Sequence, residues 1–528
     1  MTENDNNMNK IQTLGDITSF HATLRPDDVA SKFEGRATTY AMLHSHTNKV
    51  AHALIATGAK KNDRIGYLAK NSDLYFEILF GAAKMGAVTL PIGWRLAAAE
   101  IAHILKDGEV SLLFVGGEFA DLASEVIKQS GREIRVIGLE DNSATGFAGW
   151  RDQQSEDDPG VEISPSETTL QLYTSGTTGR PKGVMLTHAN LLEIWIAAHN
   201  ADLSWYRWTD DDACLAAMPA AHIAGTSWGV SGLLNGACNV ILREFNPQNV
   251  LELMEPERIT KMLLVPAALN FLVQTPGAKD VDFSTLKTIF YGASPIPLEL
   301  LKQCIELFGC DFAQQYGMTE TCGTIVYLPP EDHDAEGNRR MRSAGCAMPG
   351  VELKIIDDDG NVLPPDTVGE IAVRSNANMV GYWRNEEATR ETIDADGWLH
   401  TGDAGYLDAD DYLYIQDRVK DMIISGAENI YPAEVESAIF GHPDIAEVAV
   451  IGVPDEKWGE AVQAVVVLKP GANADTDSIL QFTRSRIAAF KAPKSVDFVA
   501  ALPRNATGKV LKRTLREPYW SGRERDVN

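Results

Sequence analysis

Apolar residues Leu43, Val50 and Leu54 recur at helical spacing across residues 39–54, which predicts an amphipathic helix there. Short apolar runs at 112–115, 134–138 and 263–265 alternate with helical patterns at 249–256 and 297–308. Such alternation predicts a parallel sheet covered by helices. The pattern changes near residue 350. Residues 351–356, the acidic turn 357–360 and Val362-Leu363 read as strand, turn and strand. Residues 405–407, 408–411 and 412–415 repeat that pattern, with both acidic runs expected as solvated hairpin tips. A charged connector at 417–421 precedes a compact series: a helix near 432–440, strands near 446–452 and 462–468, a helix near 478–489 and a strand near 496–500. The expected fold class is therefore α/β, with a large multi-layer α/β N-terminal region over 1–417 and a small α+β C-terminal domain over 418–528.

Cys214–Leu242 contains no Asp, Glu, Lys or Arg and is long enough to span a bilayer. Pro219, Gly225, Gly229, Gly232, Asn235 and Gly236 interrupt it, and His222 lies inside it. A buried core segment with a ligand loop is the better reading, so no transmembrane segment is expected. His44, His46 and His52 share the first helical pattern without a Cys or carboxylate set to complete a metal site, and read as surface or satisfied histidines.

Composition narrows the function. The 528 residues carry a net charge of −27, which argues against a nucleic-acid binder. It also argues against adsorption to anionic membranes. The six cysteines form no CxxC pair and are too sparse for a disulfide scaffold. Reduced thiols, together with a polar start lacking an apolar h-region, suggest a cytoplasmic protein.

A strand at 168–173 runs into Thr174-Ser175-Gly176-Thr177-Thr178-Gly179-Arg180-Pro181-Lys182-Gly183. Glycines let backbone amides turn toward a ligand, hydroxyls add donors, and Lys182 adds positive charge. In an acidic protein this loop suggests polyphosphate. It is not a GxxxxGK(S/T) loop, and Gly508-Lys509 is followed by Val510.

The string YTSGTTGRPKGV at 173–184 resembles the signature loop of the adenylate-forming enzymes: acyl- and aryl-CoA synthetases, luciferases and peptide-synthetase adenylation domains. Five further strings follow in that family's order: YGASP at 291–295, QQYGMTET at 314–321, GWLHTGD at 397–403, DRVKDMIISGAENIYPAEVE at 417–436 and PRNATGK at 503–509. The C-terminal third is most similar to 4-chlorobenzoate–CoA ligase and bacterial fatty-acid–CoA ligases. The resemblance implies an AMP-forming carboxylic acid–CoA ligase that uses ATP, Mg2+ and CoA. The acid would have a sizeable apolar body: a medium or long fatty, ring-bearing or aryl acid. An adenylating enzyme with a carrier-protein or other acceptor is one alternative, and an inactive nucleotide-binding regulatory protein is another. A homodimer is left open.

The resemblance also implies residue roles. Lys509 would reach the carboxylate and the α-phosphate. Thr174 to Gly179 and Lys182 would cradle the phosphates. Gly292, Ala293 and Ser294 would hold the adenine rim, and Tyr316 would stack on the base, with its neighbours Gln315 and Gly317 also at the nucleotide. Thr319 and Glu320 match the Mg-ATP contacts, and oxygens of this kind suit a hard cation. Asp403 and Arg418 would hold the ribose hydroxyls, and Lys420 stands where the family has its domain hinge. Gly426 and Ala427 would meet the pantetheine, Ala427 standing where many relatives carry a second glycine. Trp458, Phe490, Lys494 and Arg95 align with CoA contacts. Met218–Gly225 matches the acid-side motif, with His222 bordering the carboxylate and the thioester tunnel. The small residues Ala220, Ala221 and Gly323 would give the pocket volume, and Trp195 and Trp228 would wall it.

Overall fold

The computed structural model describes residues 8–141, 143–175, 181–418, 421–425, 428–455, 457–504 and 510–520. Among them, two parallel-rich sheets form the large N-terminal region. A nine-stranded sheet runs, in spatial order, through Cys346–Ala347, Gly323–Leu328, Asp311–Met318, Thr288–Gly292, Lys261–Leu264, Ala213–Ala216, Cys238–Ile241, Val29–Phe33 and Arg36–Thr39. A seven-stranded sheet runs through Gly381–Tyr382, Pro181–Thr187, Thr168–Ser175, Val88–Pro91, Arg64–Leu68, Leu112–Val115 and Arg135–Gly138. One core cluster joins residues of both sheets and of the helices between them, including Tyr67, Leu172, Trp195, Trp228 and Phe290. The inner strands are buried along their whole length, as with Arg64–Leu68 and Thr288–Gly292. Their apolar runs are therefore continuous rather than alternating.

The predicted helices and strands of this region occur close to the expected positions: Tyr40–Thr57, Leu112–Val115, Arg135–Gly138, Pro247–Met254, Lys261–Leu264 and Leu298–Phe308. The uncharged stretch folds as the strand Ala213–Ala216, the helix Ile223–Leu234 and the strand Cys238–Ile241. That helix has 12 residues, nearly all buried. Among the described residues no helix is long and apolar enough to cross a membrane. The glycines that break the stretch serve packing: a Cβ on Gly229 would lie 2.1 Å from Phe76 Cζ.

The first acidic hairpin differs from expectation. Val362 makes only a single bridge to Ile356, and the strand that pairs with Glu352–Ile356 is Gly369–Arg374. Val362-Leu363 is too short to build a ladder, and Pro364 and Pro365 follow it, removing two N–H donors. The second hairpin forms between Leu399–Leu407 and Leu413–Arg418 in the same four-stranded antiparallel sheet.

The small C-terminal domain packs Glu428–Ile430, Ile423–Ser425, Gly459–Leu468, Ile445–Asp455 and Ser495–Phe498 into one sheet. The helices Pro432–Phe440 and Thr476–Arg484 contribute Val435, Ile439 and Ile479 to its core.

Candidate active site

The signature loop begins and ends on a β-hairpin. Thr168–Ser175 pairs antiparallel with Pro181–Thr187, so Thr174 stands opposite Lys182. The strand thus reaches two residues further than Tyr173. The short strand Gly381–Tyr382 adds to the other edge of Pro181–Thr187, with Tyr382 opposite Val184. This pairing brings the Tyr382 hydroxyl to Glu320 Oε1, 3.0 Å away, and Thr174 Oγ1 donates to the same oxygen at 3.3 Å. The Lys182 ammonium sits 4.9 Å from the Tyr382 ring centroid.

Glu320 and Thr319 occupy a one-turn 3-10 helix, Thr319–Thr321, at the end of the strand Asp311–Met318. Thr321 Oγ1 ties that turn by accepting from Met318 N and donating toward Gly323 O, each at 3.0 Å. Gly317 has no room for a side chain: a Cβ would lie 1.5 Å from Gly323 O. Glu320 is buried, and among the described residues its carboxylate meets hydroxyl donors and no Lys or Arg partner. A buried carboxylate without a cation invites one. No group of three or more His, Cys, Asp or Glu among the described residues forms a metal cage. A single buried carboxylate of this kind suits a hard cation that takes its other oxygens from elsewhere.

Tyr316 donates its hydroxyl to Asp403 Oδ2 at 2.8 Å. Asp403 lies on Leu399–Leu407, in register with Arg418 on the neighbouring strand. Gly292, opposite Gln315 in the parallel ladder, would place a Cβ 2.0 Å from Gln315 O, so only glycine permits this approach. Ala293 follows in the left-handed region at φ 66°, and Ser294 follows it, half-buried.

A cleft with about 570 Å³ of unfilled space opens beside these residues. Gly292, Ala293, Gln315, Tyr316 and Gly317 form one side of it, and Trp195, Ile223, Ser227, Trp228, Leu263 and Gly323 line the rest. The tryptophans are held rather than loose. Trp195 Nε1 donates to Ser227 Oγ at 3.1 Å, and its ring stacks on Tyr206. Trp228 Nε1 donates to Leu215 O at 3.0 Å.

Ala220 and Ala221 do not line this cleft. With His222 they line a second concavity that also includes Asn71, Trp94 and Arg95. The loop 218–222 is pinned by Asn71, whose side chain accepts from Ala220 N at 2.9 Å and donates to Met218 O at 3.1 Å. Thr226 Oγ1 donates to Ala220 O at 2.7 Å from inside the helix. His222 is the N-cap of that helix. Burial, and then the charge of Arg95, lower its imidazole to about 4. Its Nε2 is buried with no hydrogen-bond partner among the described residues. Arg95 lies over the Trp94 ring and pairs with Glu244 at 3.6 Å. In the C-terminal domain Trp458, Phe490 and Lys494 are exposed.

Gly176, Thr177, Thr178, Gly179, Lys420, Gly426, Ala427 and Lys509 lie outside the described residues. Sequence reasoning missed Tyr382, Ser227 and Asn71. Tyr382 is 62 positions from Glu320, and no local spacing links the two. Ser227 and Asn71 carry no motif of their own.

A buried hydroxyl-bound carboxylate and a tyrosine joined to an aspartate thus stand beside an aromatic cleft. The AMP-binding enzyme pattern matches residues 19–383, and that of the AMP-binding enzyme C-terminal domain matches 434–509. The chain belongs to the AMP-binding enzyme family. It is 42% identical over 520 residues to a fatty acid–(acyl-carrier-protein) ligase of Streptomyces coeruleorubidus, covering 98% of this chain and 99% of that one. It is 37% identical over 512 residues to a feruloyl-CoA synthase of an Amycolatopsis species, covering 96% and 99%. Among solved structures, ATP-bound MatB from Rhodopseudomonas palustris superimposes with a TM-score of 0.84 at 30% identity, covering 95% and 99%.

Proposed function

We propose that this protein is an ATP-dependent, AMP-forming acyl-CoA synthetase for a carboxylic acid with a sizeable apolar body. The observation that carries the reading is shared lining: Gly292, Tyr316 and Gly317 border the same cleft as Trp195 and Trp228, while the Tyr316 hydroxyl reaches Asp403. An acid lying in the aromatic cleft would present its carboxylate where the nucleotide enters.

A carboxylate is a poor acyl donor, because its leaving group would be an oxide. Transfer of AMP from ATP releases pyrophosphate and gives the acid a good leaving group. A thiol then attacks the acyl carbon and AMP departs. The first step brings two anions together, so alignment and charge neutralisation dominate. In this reading the Tyr316 ring stacks on adenine and Gly292, Ala293 and Ser294 close its rim. Asp403 accepts from the ribose hydroxyls, with Arg418 beside it. Thr174 to Gly179 and Lys182 hold the phosphates, and Lys509 bridges carboxylate and α-phosphate. Glu320 and Thr319 would hold Mg2+, which supplies phosphate charge neutralisation when bound. Tyr382 and Thr174 fix the Glu320 carboxylate through hydroxyl donors.

The second concavity is the thiol side. There His222, a neutral imidazole near pH 7, borders the approach with Ala220, Ala221 and Arg95. Gly426, Ala427, Trp458, Phe490 and Lys494 come from the C-terminal domain, whose start we set at residue 418, turning about Lys420. The six unpaired cysteines support a reducing, cytoplasmic setting.

A carrier-protein thiol as acceptor is the second reading, favoured by the 42% identical carrier-protein ligase. AMP release is to be measured over aliphatic, aryl and arylalkanoic acids, with CoA or a phosphopantetheinylated carrier protein as acceptor. Acid-dependent AMP release with CoA is the expected result. Release with carrier protein alone moves the assignment to the second reading. No release with any acid and either thiol overturns both.

A further inference from the structure

Among the described residues the acid cleft is lined mainly by apolar side chains, with Gln315, Ser227, Tyr316 and Thr324 as its polar residues. Gln315 is 8% exposed, and its side-chain Nε2 is buried with no acceptor among the described residues. Ser227, also buried, accepts from Trp195 Nε1, and a hydroxyl that accepts there keeps its own proton to donate. Both residues line the cleft with Trp228 and Leu263.

An unsatisfied amide in such a setting is costly, and native proteins keep few of them. Packing alone would be served by Leu or Met at position 315. Tyr316 sends its hydroxyl to Asp403 on the nucleotide side, and Gln315 is the residue before it on Asp311–Met318. The last torsion of a carboxamide side chain is intrinsically broad, so a modest rotation can aim the NH2 at the cleft. Turned toward the cleft, its NH2 would meet an oxygen on the bound acid.

We infer that the acid carries a hydrogen-bond-accepting oxygen on its apolar body: an ether, hydroxyl or carbonyl on the ring or chain, received by Gln315 and Ser227. This assigns the Gln315 side chain to acid selection rather than to the nucleotide. The inference rests on the acyl-CoA synthetase reading. A wholly apolar pocket gives little discrimination for an added oxygen, whereas a site built to hydrogen-bond it rejects the analogue that lacks it.

The test uses the full-length enzyme and matched acid pairs that differ by one oxygen. Suitable pairs are 3-phenylpropanoate with its 4-methoxy and 4-hydroxy forms, cinnamate with the same, and decanoate with its hydroxy forms. The wild-type enzyme is expected to favour an oxygen-bearing member by at least about tenfold in kcat/KM. In Gln315→Leu that ratio falls to about one, with KM for ATP within about twofold of wild type. Gln315→Glu, closer in shape, loses the methoxy acid selectively, because a carboxylate accepts from a hydroxyl but repels an ether oxygen. Ser227→Ala narrows the ratio by a smaller factor. If every oxygen-bearing acid reacts no better than its plain partner, the inference fails while the synthetase reading stands. If Gln315→Leu leaves the ratio unchanged, or raises KM for ATP instead, the carboxamide does not read the acid. If no acid in either set is activated, the synthetase reading fails first.

Discussion

His222 and Ile223 are consecutive, yet they face different cavities. Ile223 helps line the aromatic cleft beside Tyr316, and His222 lines the concavity beside Trp94 and Arg95. The two regions are built from different materials. The cleft is walled by tryptophans locked through their indole nitrogens, with no ionised side chain among the described residues on its lining. The concavity is bordered by a small-residue loop and by Arg95, and close by Lys70 bridges Glu118 and Glu244. One turn of chain, pinned by Asn71 and Thr226, forms the partition between them. In the proposed reaction that partition separates the acid's tail from the incoming thiol, with the reacting carbonyl between. Two half-reactions then need different surroundings: a dry cleft that grips an apolar body, and a polar approach for an anionic thiol carrier.

The comparison is broken most severely at Lys509. Lys509→Ala should slow adenylation by on the order of 10²–10³ through loss of one aligned charge contact. It should spare thioester formation from preformed acyl-adenylate, followed separately in single-turnover experiments. Equal loss in both steps would remove the distinction between the sides.

A second test addresses the partition itself. The folded protein holds the His222 imidazole at about 4 against the ordinary 6.5. Below pH 6.5 the unfolded chain takes up a proton there that the folded chain refuses until about pH 4. The contribution is complete above pH 6.5 and is lost as pH falls toward 4. Denaturant titrations at pH 7 and pH 5 should show wild type losing at most about 2 kcal/mol more than His222→Gln over that interval. An equal loss in both proteins would place the imidazole in water.

Filling one side should sharpen the contrast. Ala221→Leu puts bulk into the concavity and none into the cleft. The thioester step should slow by about tenfold, roughly 1.4 kcal/mol, while acid-dependent pyrophosphate release is retained. Slowed pyrophosphate release with an unaffected thioester step would exchange the two assignments.

The smallest effect is expected at Glu320. Tyr382→Phe removes one hydroxyl donor from the carboxylate and should reduce adenylation by roughly threefold to tenfold, the value of one hydrogen bond. The shift should appear mainly in the Mg2+ concentration needed for half-maximal rate. A change only in the thioester step would separate Tyr382 from the nucleotide side.

Much of this architecture is legible along the chain. The alternation of apolar runs and helical patterns locates the parallel strands because buried strands need continuous apolar residues. The loop at 173–184 is recognisable because a phosphate cradle needs small residues and hydroxyls in one run. The weak second strand at Val362-Leu363 shows the limit: two β-branched or apolar residues look like a strand wherever they occur, and only a partner makes one. Gly369–Arg374 supplied that partner for Glu352–Ile356 from a position that no local turn signal marks.

By itself the sequence determined the family, the order of the elements and the chemistry available, because these depend on residue type and spacing within short segments. Tertiary structure alone decided which side of His222 each small residue enlarges. Ala220 and Ala221 sit in the same motif as Ile223, but they line the concavity before the N-cap at His222 while Ile223 lines the cleft after it. It alone brought Tyr382 to Glu320 across 62 residues and buried the Gln315 amide nitrogen with no acceptor among the described residues. The reason is physical. Burial and hydrogen-bond satisfaction belong to the space between elements, and that space does not exist until the sheets and helices have closed on one another.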